Sequence, residues 1–207
     1  MRELPADAGR PMGPPRVVPY RFDLSALVRR SVASLYSHLV TRPTGQALRY
    51  GIERQIADLG APCLSVLDFS EVVVLDYSCA DETVAKLIQR YRREDRPADA
   101  YLIARGVGER HRDMIEAVLA RHGLALVAEV DGVGFTLLGE LPALEREVWA
   151  AVERLAMASA ADVATLVDAP EDALAAALDS LASHRVVLRR DEPVPVYCSL
   201  TSLLMAG

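Results

Sequence analysis

The sequence predicts an α/β protein, a mixed sheet with helices packed against it, joined to a small C-terminal α+β segment. Three observations predict it. Apolar runs of strand length, Leu64 to Asp68, Val72 to Leu75 and Ala100 to Ala104, alternate with stretches whose apolar residues recur every three or four positions. Asp131-Gly132 separates two β-type runs, Leu124 to Val130 and Val133 to Leu138, which is a strong hairpin signal. From Leu141 the pattern changes to three helices followed by two short β-type runs.

Taken in order, residues 1–16 read as a disordered tail, because Met1 to Pro15 holds four prolines and almost no apolar periodicity. Residues 17–140 form the first predicted domain and 141–207 the second. Val17 to Phe22 suits a short edge strand, since Pro19 cannot donate to a central ladder. Asp23 suits the cap of a short helix carrying Leu24, Leu27 and Val28, and Leu35 to Thr41 fits either a helix end or a strand. Thr41 and Pro43 mark the entry of a helix presenting Leu48, Ile52, Ile56 and Leu59, with Gly60 as its stop. Another helix runs Glu109 to His122 and stops at Gly123. Gly106-Val107-Gly108 before it reads as a strand-to-helix turn.

In the second segment, Glu145 to Met157 buries Val148, Trp149, Val152 and Leu155. Ser159 with Asp162 caps the next helix, and Asp168 with Glu171 the one after, with Pro170 in its first turn. Val186 to Arg189 and Val194 to Cys198 make the closing hairpin. Three helices and a hairpin in this order resemble a winged helix-turn-helix.

The information richest in chemistry lies between Cys63 and Tyr91. Two apolar runs lead to Asp76, and then Ala80, Val84, Leu87, Ile88 and Tyr91 fall on one helical face. Ser78 and Asp81, three apart, have capping-box spacing and predict a helix start at Ser78. Asp68-Phe69-Ser70 followed by Asp76-Tyr77-Ser78-Cys79-Ala80-Asp81-Glu82 resembles the STAS domains, which include bacterial anti-sigma-factor antagonists. It is more similar still to their STAS-like relatives, in which Asp-Phe-Ser precedes Ser-x-Ala-Asp-Glu. Tyr77 and Cys79 stand where antagonists carry Ser or Thr and Gly.

In the antagonists a serine at the position of Ser78 is phosphorylated by an anti-sigma kinase. The resemblance therefore implies a protein partner, such as an anti-sigma-type kinase, docking on Asp68, Ser70, Asp76, Tyr77, Ser78, Asp81 and Glu82. A phosphate on Ser78 would gain from the helix dipole and lose from the carboxylates of Asp76, Asp81 and Glu82. The plain alternative is that Ser78 only caps the helix.

A net charge of −6 argues against a chain built to coat nucleic acid or anionic lipid. In residues 141–207 ten carboxylates face five arginines, and the third helix, PEDALAAALDSLASH, holds three carboxylates and no Lys or Arg. DNA affinity rests on cations at phosphates, and base readout on Arg, Asn or Gln. DNA binding through Arg185, Arg189 and Arg190 is thus the rival to protein interaction or dimerisation through this segment. The alanines at 173, 175, 176 and 177 suit packing against protein.

The four histidines (38, 111, 122 and 184) share no ligand spacing, and the three cysteines (63, 79 and 198) form no CxxC pair. No metal, cofactor or enzymatic activity is expected. Arg90, Arg92, Arg93 and Arg96 read as a solvated helix end or a dock for an acidic partner. With no membrane-length apolar run and no signal-peptide core, a cytoplasmic, non-enzymatic regulatory protein is the expectation.

Overall fold

The structure is a computed structural model and describes residues 29–35, 37–59, 62–191 and 194–205. The expected tail, the strand at 17–22 and the helix at 24–28 lie outside the described residues.

Among the described residues five strands make the main sheet: β1 (Arg29–Ser34), β3 (Cys63–Asp68), β5 (Ala100–Val107), β6 (Leu126–Val130) and β7 (Gly134–Leu138). They lie side by side in that order. The first four are parallel, and β7 returns antiparallel to β6. β2 (His38–Leu39) and β4 (Val74–Leu75) pair in parallel apart from it, so residues 35–41 are strand at their centre rather than helix. The β6–β7 loop holds three residues, because Val130 pairs with Gly134. Val133 belongs to the turn, not to the strand that the Asp131-Gly132 signal suggested.

Both faces of the sheet are covered. Cys63 and Leu67 of β3 point with Leu102 and Leu126 into one core. Leu64, Val66, Tyr101, Ile103 and Val127 point into the other. A strand buried on two sides reads as continuous apolar sequence, which is why these runs do not alternate with polar residues.

The first face carries α1 (Arg42–Leu59), α2 (Tyr77–Ala80), α3 (Lys86–Arg92) and α4 (Glu109–His122). α1 seats Ile52 and Ile56 fully, with Leu48 and Leu59 packed beside them. α2 runs into α3 through a π turn, Asp81–Ala85, all five of whose residues are buried. Within it Thr83 Oγ1 donates to the Cys79 carbonyl at 2.7 Å, a back-bond of the kind that perturbs a helix. α1 crosses this turn so closely that a Cβ on Gly45 would lie 2.9 Å from Glu82 Cβ and 3.1 Å from Cys79 Cα.

The second face carries the C-terminal segment: α5 (Ala143–Leu155), α6 (Ala160–Val163), α7 (Glu171–Ser183) and α8 (Leu200–Met205), with a small sheet ordered β8 (Met157–Ala158), β10 (Val196–Ser199), β9 (Val187–Arg190). Its Val148, Trp149, Leu174 and Leu178 share one core with the β3, β5 and β6 residues. The two sequence segments are therefore packed together across the sheet. No helix among the described residues is long and apolar enough to cross a membrane.

Two boundaries differ from expectation. α5 ends at Leu155, where Ala156 turns at φ 64°, so Leu155 is exposed and Met157 is already strand. The Ser159–Asp162 capping box forms, but the Asp168–Glu171 box does not, and α7 starts at Glu171 after Pro170. A residue before proline avoids helical backbone, so Ala169 cannot be a helix's first residue. The alanines of α7 do not share a side either: Ala177 is in the core and Ala176 faces outward.

Candidate functional site

The helix that leaves β4 is capped by Asp76, not by Ser78. Asp76 is extended (φ −91°, ψ 163°), and its Oδ1 accepts the Cys79 amide at 2.7 Å and the Ser78 hydroxyl at 3.0 Å. Only one residue can occupy the capping position, and the aspartate two residues upstream takes it. Ser78 becomes the second helical residue, half-buried, with its hydroxyl donating to the cap.

Asp81 and Glu82 are not presented to a partner. Their side chains are 9% and 0% exposed. Glu82 Oε1 accepts from Arg42 Nη1 at 2.8 Å, Lys86 Nζ at 2.5 Å and Gln46 Nε2 at 3.4 Å. Arg49 Nε stands 3.6 Å from its second oxygen. Asp81 meets His122 Nε2 at 2.7 Å and Arg42 Nη1 at 3.3 Å, with Lys86 Nζ at 3.8 Å.

Burial pushes both carboxyls up, and their hydrogen bonds outweigh it. Bonds from His122 and Arg42 leave Asp81 below its ordinary value, and bonds from Lys86 and Arg42 do the same for Glu82. The π turn aims one carboxylate at α4 and the next at α1, which fastens three elements together. This corrects the expected docking role of Asp81 and Glu82: a carboxylate enclosed by its own cations is unavailable to a partner.

Asp68 and Ser70 form a second, separate latch. Asp68 Oδ1 accepts the Ser70 amide at 3.0 Å and its hydroxyl at 2.6 Å, while Oδ2 accepts Arg105 Nη2 at 2.6 Å. Burial raises the Asp68 carboxyl, and the bonds from Ser70 and Arg105 bring it below its usual range. Gly106, at φ 65°, makes room for this turn, since a Cβ there would lie 2.3 Å from Ser70 Oγ. Gly106, inside β5 rather than in the expected strand-to-helix turn, is thus a fitting for Ser70, whose side chain bonds Asp68.

Of the expected docking residues Ser70 is exposed, tied to Asp68, while Asp76, Tyr77 and Ser78 are half-buried. Arg121 faces Tyr77, its Nη1 donating to the phenol oxygen at 3.4 Å and its guanidinium 6.0 Å from the ring centre. Arg42, 47% exposed, reaches past the same turn to Asp81. Val40, Val73 and Val74 are exposed at the adjoining β2–β4 edge, where the Asp76 amide donates to the Leu39 carbonyl. Arg42, Arg121 and these valines went unread in the sequence. Arg42 lies 39 positions from Asp81, and no local pattern joins them.

Cys79 is buried beneath the turn, and burial pushes its thiol up to about 11, with the charges of Asp76 and Glu82 adding to the shift.

In the C-terminal segment, Arg185 is lost to any DNA surface. It sits at φ 59°, donates Nε to the Ala100 carbonyl at 2.9 Å, pairs with Asp99, and lies 4.0 Å over the Tyr101 ring. Its side chain is 12% exposed. Arg189 pairs with Asp179 at 2.6 Å and Asp191 at 2.7 Å. The outward positions of α7 include Glu171, Asp172 and Asp179.

No family model matches the sequence, and no curated protein matches it.

Proposed function

We propose that this chain is a non-enzymatic signalling protein of bacterial type that works through protein–protein contact at Tyr77 and Ser78. In this reading residues 17–140 are a STAS-like domain, and residues 141–207 are a winged-helix-like domain packed on its sheet. The observation that carries it is the Asp76-capped turn. It holds a half-buried tyrosine and serine, with Arg121 on the tyrosine and Arg42 on the nearby Asp81, beside exposed Val40, Val73 and Val74. A mixed apolar and cationic rim around an aromatic residue suits a protein partner better than a small ligand.

Phosphorylation of Ser78 is the proposed switch. The hydroxyl that now donates to Asp76 would become a dianion facing that carboxylate. Repulsion would drive Asp76 off the Cys79 amide and change the shape of the partner surface. The protein reading of the C-terminal domain is supported by the engagement of Arg185 with Asp99 and Tyr101, which takes one of three wing cations away from any polyanion.

The test is mass spectrometry of the protein from its own cell, joined to quantitative co-purification with Ser78→Ala and Ser78→Asp. Phosphate on Ser78, and a protein partner retained by one variant and lost by the other, is the expected result. Unmodified Ser78 under all growth conditions, with identical partners for both variants, would refute the switch.

A further inference from the structure

Where α3 and α4 end together, an open groove of about 470 Å³ is lined by Gln89, Arg92, Arg93, His122 and Leu124. Its lining contains two guanidinium groups, an amide and an imidazole, with Asp95 paired to Arg93 at 2.9 Å and Asp81 on the imidazole at 2.7 Å. The arginines at this end of α3 are not equivalent. Arg90 and Arg93 pair with Asp95, and Arg96 pairs with Asp99.

Arg92 has no carboxylate partner among the described residues. It donates Nε to the Ser183 carbonyl at 3.2 Å and Nη1 to the Gly123 carbonyl at 3.1 Å. These carbonyls end α7 and α4, so they offer partial negative charge and hold the guanidinium in place without neutralising it. Burial lowers the Arg92 pKa, as expected for a cation withdrawn from water without a counter-charge. The neighbouring His184 responds to the same field. Its Nδ1 is buried without a partner, and its pKa is pushed down by burial and then by Arg92. Gln89 Nε2 stands 3.1 Å from His122 Nδ1, placing an amide and an imidazole on the same wall.

We propose that this groove binds a small oxyanion, a phosphate- or carboxylate-bearing molecule, with Arg92 as its principal counter-charge and Arg93 and Gln89 as further donors. A planar guanidinium fixed by two carbonyls is pre-organised for an oxyanion, and a charge-assisted bond there restores what burial removed. None of its groups belongs to the Ser78 turn, although His122 bonds Asp81, three residues further along, at 2.7 Å. Its lining comes from the ends of α3 and α4, and Arg92 reaches from it to the Ser183 carbonyl that ends α7.

The experiment is an NMR titration of the full chain with inorganic phosphate and, separately, with succinate. Saturable shifts centred on the amides of Arg92, Arg93, His122 and Leu124 are expected for at least one anion, and which anion saturates tells phosphate from carboxylate. Gln89→Glu, which places a carboxylate in the groove without touching the Arg92 bridge, should weaken that binding about tenfold or more. Arg93→Ala should weaken it severalfold, with thermal stability unchanged. Absence of saturable shifts with both anions, or binding indifferent to Gln89→Glu, would overturn the site.

Discussion

Ser78 donates its hydroxyl to the carboxylate of Asp76 at 3.0 Å, and that same oxygen holds the Cys79 amide at 2.7 Å. The serine is thus dependent on the cap rather than being the cap, and its modification acts on Asp76 first.

Removing Asp76 should cost more than removing Ser78. Asp76→Ala deprives the Cys79 amide of its acceptor, a loss of about 1 kcal/mol. Ser78→Ala should cost about half a kcal/mol or less, since its acceptor keeps the amide. Urea denaturation of the two variants gives the order, and a larger loss for Ser78→Ala would return the cap to the serine.

Glu82 should be the most sensitive residue of the buried cluster. Glu82→Gln leaves Arg49 facing a neutral amide while the more exposed Arg42 and Lys86 turn to water, with an expected loss of about 1–2 kcal/mol. Equilibrium unfolding measures it directly, and a change near zero would mean that the cluster contributes nothing net.

Acid should weaken the fold through the same pair. The folded pKa values of Asp81 and Glu82 are depressed, so the stability they contribute is complete above the unfolded carboxylate range. It is lost as pH falls below about 4 and through the folded values. Thermal unfolding across this window should decline more steeply in the natural chain than in Glu82→Gln, where one of the two titrating groups is gone. Parallel profiles would contradict the assignment.

Arg185 should matter to stability, whereas Arg189 should not. Arg185→Ala removes the bonds to Ala100 and Asp99 and the stacking on Tyr101, a loss of about 2 kcal/mol. Arg189, 39% exposed with two solvent-facing aspartates, should change stability by less than about 0.5 kcal/mol when replaced by alanine. Denaturation midpoints distinguish the two.

Cys79 should be inert to alkylation at neutral pH. A thiol pushed up to about 11 and fully enclosed presents almost no thiolate. Labelling of the native protein with iodoacetamide, read by peptide mass, should leave Cys79 unmodified until denaturant is added.

Periodicity made much of the fold legible. Ile52 and Ile56 of α1, Ile115, Val118 and Leu119 of α4, Val84 in the π turn, and Leu87 and Tyr91 beyond it are buried as their spacing requires. β1 was hidden because Arg29-Arg30-Ser31-Val32-Ala33-Ser34 has little apolar character, and among the described residues it pairs with β3 alone. The cap was misassigned because Asp76 and Ser78 are both strong cap formers two residues apart, and the choice depends on a bond to Cys79. The bond of Arg42 to Glu82 and the diversion of Arg185 to Asp99 join residues 40 and 86 positions apart. Local pattern carries no trace of such pairings.

Photo-crosslinking inside the cell, with the reactive residue at Tyr77 in one variant and at Asp172 on α7 in another, tests the central claim most directly. A discrete protein adduct from position 77, and no nucleic-acid adduct from position 172, is the expected outcome. A nucleic-acid adduct at 172 with nothing captured at 77 would contradict it.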